Sequence, residues 1–116
     1  MVQADVLQQC GRYAQAARRW LEVARDSSET YPWIFAGICL ARQGLLHEAE
    51  SCHRQATQCT GDPDEAMLNL ALVLRAQERY QEALECARRA QQMSDGLDES
   101  ELALLIEDLE KAIEFH

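Results

Sequence analysis

The sequence predicts an all-α fold, a tandem array of helix-turn-helix units closed by one further helix. Two observations carry that prediction. Apolar residues recur at spacings of three and four, with no strand-like alternation. The chain also repeats itself, since Gly11-Arg-Tyr-Ala-Gln-Ala16, Gly44-Leu-Leu-His-Glu-Ala49 and Glu78-Arg-Tyr-Gln-Glu-Ala83 place equivalent alanines 33 and 34 residues apart. Four and seven residues after each alanine stand Trp20 and Val23, His53 and Ala56, and Ala87 and Ala90. Upstream, Trp33, Gly37 and Leu40 correspond to Met67, Ala71 and Leu74 at the 34-residue offset. The 116 residues, 47% apolar and 27% charged, then form one domain, 1–116. Its units span about 1–29, 30–62 and 63–96, and its closing helix about 98–115.

Local chemistry sets about seven helices, at roughly 2–10, 13–27, 31–42, 46–59, 63–76, 80–93 and 99–115. The first begins only at about Val2, lacks its first turn, and ends at Gly11, the counterpart of Gly44. Pro32 before Trp33 fits the start of the third helix, and Gly61 sits where a C-cap would end the fourth. Asp62-Pro63-Asp64-Glu65 supplies an N-cap aspartate, a proline at the first helical position and a glutamate three residues on. Gly96 similarly closes the sixth helix. The last follows an Asp98-x-x-Glu101 capping box and gathers Leu102, Leu105, Ile106, Leu109 and Ile113 on one stripe, as a helix covering the end of a stack should.

Composition narrows the classes of function. Twenty acidic against 11 basic residues give a formal charge of −9, the wrong sign for neutralising phosphates, so neither nucleic acid nor an anionic membrane is expected as a partner. No apolar run approaches the roughly 18 residues of a membrane span, and no secretion signal is legible, so the chain reads as soluble and cytoplasmic. Cys10, Cys39, Cys52, Cys59 and Cys86 are odd in number and irregularly spaced, which suits reduced, buried or half-buried thiols better than a disulfide framework. His47, Cys52, His53 and Cys59 come nearest to a metal set, but helical geometry points adjacent Cys52 and His53 about 100° apart, and the histidines read as surface residues. With no nucleophile elbow and no Gly-rich phosphate loop, no catalytic residue, metal ligand or cofactor is assigned, and the chain is not expected to be an enzyme.

The repeating residues resemble the tetratricopeptide repeat (TPR), a 34-residue helix-turn-helix unit. Unit two matches through Trp33, Gly37, Leu40, Gly44, Ala49 and Ala56. Unit three matches through Leu70, Ala71, Leu74, Tyr80, Ala83 and Ala90, with Glu78 where the turn glycine is usual. Unit one matches through Gly11, Tyr13, Ala16 and Trp20. The resemblance covers residues 1 to about 95 and implies a right-handed superhelix whose concave surface is lined by the first helix of each unit. Carried onto this chain, the groove positions are Ile34, Ile38 and Arg42, then Leu68, Leu72 and Arg75.

That resemblance implies a protein-interaction module or small chaperone, holding an apolar helical or extended segment of a partner protein or peptide in the groove. The small, acidic, three-repeat chaperones of bacterial type III secretion are similar in size, charge and groove. The carboxylate clamp of a chaperone-binding subset is not legible, since unit one carries Asp5, Gln8 and Gln9, Asn69 is the sole asparagine and Lys111 the sole lysine. Arg42 and Arg75 remain candidates to hold a carboxylate, with solvated salt bridges the favoured role. The contrasting reading is a structural module of a larger scaffold, its apolar groove packed internally or in a homodimer. The N-terminal edge around Val2, Val6, Leu7 and Tyr13 lacks a cap and should need cover from a partner helix or a second copy, giving a hetero-complex or a homodimer.

Overall fold

The computed structural model describes residues 2–61, 63–93 and 99–115, with residues 2–10 and 99 described through their backbone. Helices α1 (Val2–Arg25), α2 (Thr30–Arg42), α3 (Leu46–Ala56), α4 (Pro63–Ala76), α5 (Tyr80–Met93) and α6 (Glu99–Glu114) follow one another. No strand occurs among the described residues, only an isolated bridge between Glu29 and Thr60. The fold is all-α. Each helix packs on its sequence neighbour, and α2 also lies against α4, so α2 and α4 sit side by side with α3 and α5 behind them.

The two internal helix pairs close by the same turn, and the sequence explains it. Gly44 (φ 82°) and Glu78 (φ 62°) both occupy the left-handed region. After α2, the amides of Gly44 and Leu45 donate to the carbonyls of Ala41 and Leu40. After α4, those of Glu78 and Arg79 donate to Arg75 and Leu74. This reciprocal pattern satisfies the last carbonyls of a helix and favours glycine at the left-handed position. Glu78 therefore carries strain that Gly44 does not. Replacing Glu78 with glycine is expected to raise the unfolding free energy by about 1 kcal/mol. Urea denaturation reads it directly, and an unchanged or lowered midpoint would show that Glu78 sits there without penalty.

Unit one departs from the expected seven helices. Residues 2–25 form one continuous helix, so the expected helices at 2–10 and 13–27 are fused and the described residues form six. Gly11 is helical, outside the positive-φ glycines, and a Cβ there would meet nothing within 4 Å. Glycine inside a helix costs only about 1 kcal/mol against alanine, which neighbours such as Gln8, Gln9, Arg12 and Ala14 tolerate. A turn glycine permits a reversal, and the antiparallel packing beyond it enforces one.

The fourth expected helix is also shorter, ending at Ala56 with Thr57 as C-cap rather than at about residue 59. Gly61 is consequently not a helix cap. Its φ of 134° and its approach to Thr30, where a Cβ would lie 2.6 Å from Oγ1, serve a clasp between loops. There Thr30 N and Oγ1 donate to the Thr60 carbonyl at 3.0 and 2.8 Å, while Thr60 N and Oγ1 donate to Ser28 O at 3.0 and 3.1 Å. Pro63 opens α4 as expected, whereas Pro32 falls inside the first turn of α2, which starts at Thr30. The expected caps Asp62, Gly96 and Asp98 lie outside the described residues.

Small residues at the repeat positions let the helices approach. Ala36, Ala49, Ala56, Ala66, Ala71, Ala83, Ala87 and Ala90 have no accessible surface. One core cluster joins Ala17, Ala36, Leu40, Ala49, Cys52 and Val73 across units one to three. Another joins Leu70, Leu74, Ala83, Leu84 and Ala87 to Leu105 and Leu109 of α6, which covers the end of the stack as its stripe predicts. At the surface, Glu50 of α3 pairs with Arg54 at 2.8 Å and reaches Arg79 at 2.6 Å, and Gln77 donates to it at 3.0 Å. Burial alone would raise the Glu50 pKa, but these three donors outweigh it and hold the carboxyl below its usual value. Arg79 also holds Glu82, so the turn containing Glu78 is tied to α3 and α5 together.

Candidate functional site

A groove of about 440 Å³ runs between α2 and α4. Its walls are Ile38, Ala41 and Arg42 from α2, and Asn69, Leu72, Val73 and Ala76 from α4. Leu46 and His53 of α3 complete it. The helical period explains the wall: Ile38 with Arg42, and Asn69 with Leu72, Val73 and Ala76, are separated by three or four residues and so share faces. A smaller depression of about 210 Å³ continues from Leu72 past Leu68 and Arg75 to Glu101, Leu104, Leu105 and Asp108 of α6. Leu104 is 62% exposed and forms part of that apolar rim.

Five of the six expected groove residues line these two spaces, namely Ile38, Arg42, Leu68, Leu72 and Arg75. Ile34 does not. It is 2% exposed and packs against Ala56 and Ala66 beneath the wall, because the start of α4 crowds the first turns of α2. Of the four expected aliphatic positions, Ile38, Leu68 and Leu72 therefore face these spaces, and Leu46 and Val73 join them. Arg42 and Arg75 form no ion pair among the described residues, contrary to the expected salt bridges. Arg42 Nη1 instead donates to Tyr13 Oη at 3.2 Å, and its guanidinium stands 5.4 Å from the Tyr13 ring centroid. Tyr13 is thus half-buried and partnered by α2, while the side chains of Val2, Val6 and Leu7 lie outside the described residues.

His53 was legible only as a surface residue, yet it is 1% exposed and sits at the inner end of the groove. Its ring occupies the space above Gly37, where a Cβ would come within 2.5 Å of Cε1. Burial lowers its pKa to about 4, so the imidazole is neutral at physiological pH, and its Nδ1 is buried with no hydrogen-bond partner among the described residues. The repeat alignment contained the signal that finds it. Gly37 and His53 stand where unit three has Ala71 and Ala87, so a missing methyl on one helix is matched by a larger group on the other.

The remaining titratable chemistry is quiet. Burial, reinforced by Glu48, pushes the Cys52 thiol up to about 11, and burial likewise raises Cys39 and Cys86, so none of these three is a ready thiolate. Cys52 and His53 are buried while His47 is exposed, and among the described residues no three His, Cys, Asp or Glu side chains converge on one point. No helix among those residues is long and apolar enough to cross a membrane. Compared with known proteins, the chain matches no family model and no curated protein sequence.

Proposed function

We propose that the chain is a protein-interaction module of the tetratricopeptide-repeat type, holding an apolar segment of a partner protein in the groove between α2 and α4. One observation carries the reading: Ile38 and Leu72, both only half-buried, wall an open space of about 440 Å³ with little polar lining beyond Arg42, His53 and Asn69. Fully burying an exposed aliphatic side chain is worth about 1.5–3 kcal/mol, and one already half-buried gains about half of that, so several such contacts can anchor a peptide before ordering costs are subtracted. The period of 33 to 34 residues, the paired left-handed turns and the α2 to α4 contact all support the superhelical arrangement that the repeat implies. A small chaperone that masks such a segment until delivery is the form that best suits the acidic charge, which keeps the protein soluble while the groove is empty.

The substitution Leu72→Glu tests this. Peptides selected from a random display library on the purified chain are expected to carry apolar anchors and to lose at least tenfold in affinity for the Leu72→Glu variant, with thermal unfolding nearly unchanged. If melting collapses instead, Leu72 belongs to the core and the groove is an internal seam.

A further inference from the structure

We infer that residues 2–10 of one copy pack along α1 and α2 of a second copy as the leading helix of its first unit, so that two chains exchange this segment reciprocally. The case rests on comparing equivalent positions. In units two and three the leading helix folds back on the second, and the alanines at these positions disappear: Ala49 and Ala56 under α2, Ala83 under α4, and Ala90 further along α5, all without accessible surface. The same positions in unit one are Ala16, which is half-buried, and Val23, which is 49% exposed. Trp20, the counterpart of fully buried His53 and Ala87, is also only half-buried. Among the described residues, no helix covers the Ala16 and Val23 face of α1.

The open face extends onto α2. Phe35 and Tyr31 are exposed there, with Phe35 stacked on Trp20 at a centroid distance of 4.8 Å. Their counterparts in α4, Asn69 and Glu65, are half-buried, Asn69 in the space between α4 and α2. A helix is therefore wanted beside α2 on the side opposite α4.

Residues 2–10 carry the sequence that fits. At the 33-residue offset, Ala4 and Leu7 stand where Gly37 and Leu40 stand in α2, and where Ala71 and Leu74 stand in α4. In those helices the small residue admits the facing helix and the leucine fills the core. Ala4 would lie against Trp20 as Gly37 lies under His53. Helix α1 removes the segment from its own chain's open face, because without a reversal at Gly11 it projects onward along a rod about 36 Å long at 1.5 Å per residue. A second copy projects an identical segment, and a two-fold arrangement satisfies both faces at once.

Light scattering over a concentration series tests the exchange, using the full chain and two variants. The unmodified chain is expected at twice its 13.2 kDa mass, dissociating on dilution. Leu7→Asp is expected to weaken the dimer at least tenfold. Insertion of Gly-Ser-Gly after Gly11, which lets the segment fold back, is expected to give a monomer of undiminished helicity by circular dichroism. A monomer at every concentration overturns the inference. So does a dimer that survives both changes, since its contact would then lie elsewhere.

Discussion

Gly37→Ala is expected to destabilise the chain by about 1–3 kcal/mol, the ordinary penalty for overpacking a closed contact. The new Cβ would fall 2.5 Å from His53 Cε1, 2.6 Å from Nε2 and 2.9 Å from Nδ1. The ring is 1% exposed and would have to shift from its packed position towards the groove to make room. Adding His53→Ala should recover much of the loss, because the pair then becomes the Ala71 and Ala87 pairing that already works in unit three with both residues fully buried. Urea unfolding of the two single variants and the double closes a mutant cycle, and a favourable coupling of at least about 1 kcal/mol is predicted for groups in contact. Simple additivity would show that Gly37 and His53 do not share the space.

The second large effect is the response to acid. An unfolded histidine takes up a proton near pH 6.5, whereas folded His53 resists until about pH 4 because burial disfavours the charge. Between those values the unfolded chain binds more protons, so the contribution of His53 to stability falls as pH is lowered from about 6.5 to 4, by about 2–3 kcal/mol in total. Above pH 6.5 both states are neutral and the effect vanishes. Glu50 adds a loss of the same sign in more acidic solution: its folded pKa is held below the ordinary value of 4.5, so its stabilisation is present above about that pH and is lost as pH falls below it. Unfolding midpoints measured from pH 7.5 to 4.5 should therefore slope downward for the natural chain and flatten in the His53→Ala variant. An equal slope in both would show that His53 is already protonated, or accessible, in the folded state.

Much of the fold was legible because its signals were redundant. For α2, α4 and α5, periodicity agrees with Pro63, the left-handed Gly44 and the repeated alanines, and their boundaries fall within about a residue of expectation. Unit one failed where a single signal stood alone. Gly11 allows a turn, but residues 2–10 do not fold back on α1, so helix continuation wins. At the groove, the positions carried over from the resemblance to the tetratricopeptide repeat include Ile38, Arg42, Leu68, Leu72 and Arg75, which do line it. The resemblance misplaced Ile34 because α2 is apolar around its circumference, and the choice between wall and core is made by where α4 begins. His53 was missed for a related reason: a histidine is judged polar until the empty volume above Gly37 is considered with it.

The most direct test of the groove is a two-dimensional NMR titration of the labelled chain with a display-selected peptide. Binding between α2 and α4 predicts shift changes concentrated at Ile38, Ala41, Leu72 and Ala76, with the exposed faces of α3 and α5 unmoved. Changes confined to Arg54, Gln55, Arg88 and Arg89 on those outer faces, with Ile38 and Leu72 unaffected, would contradict it.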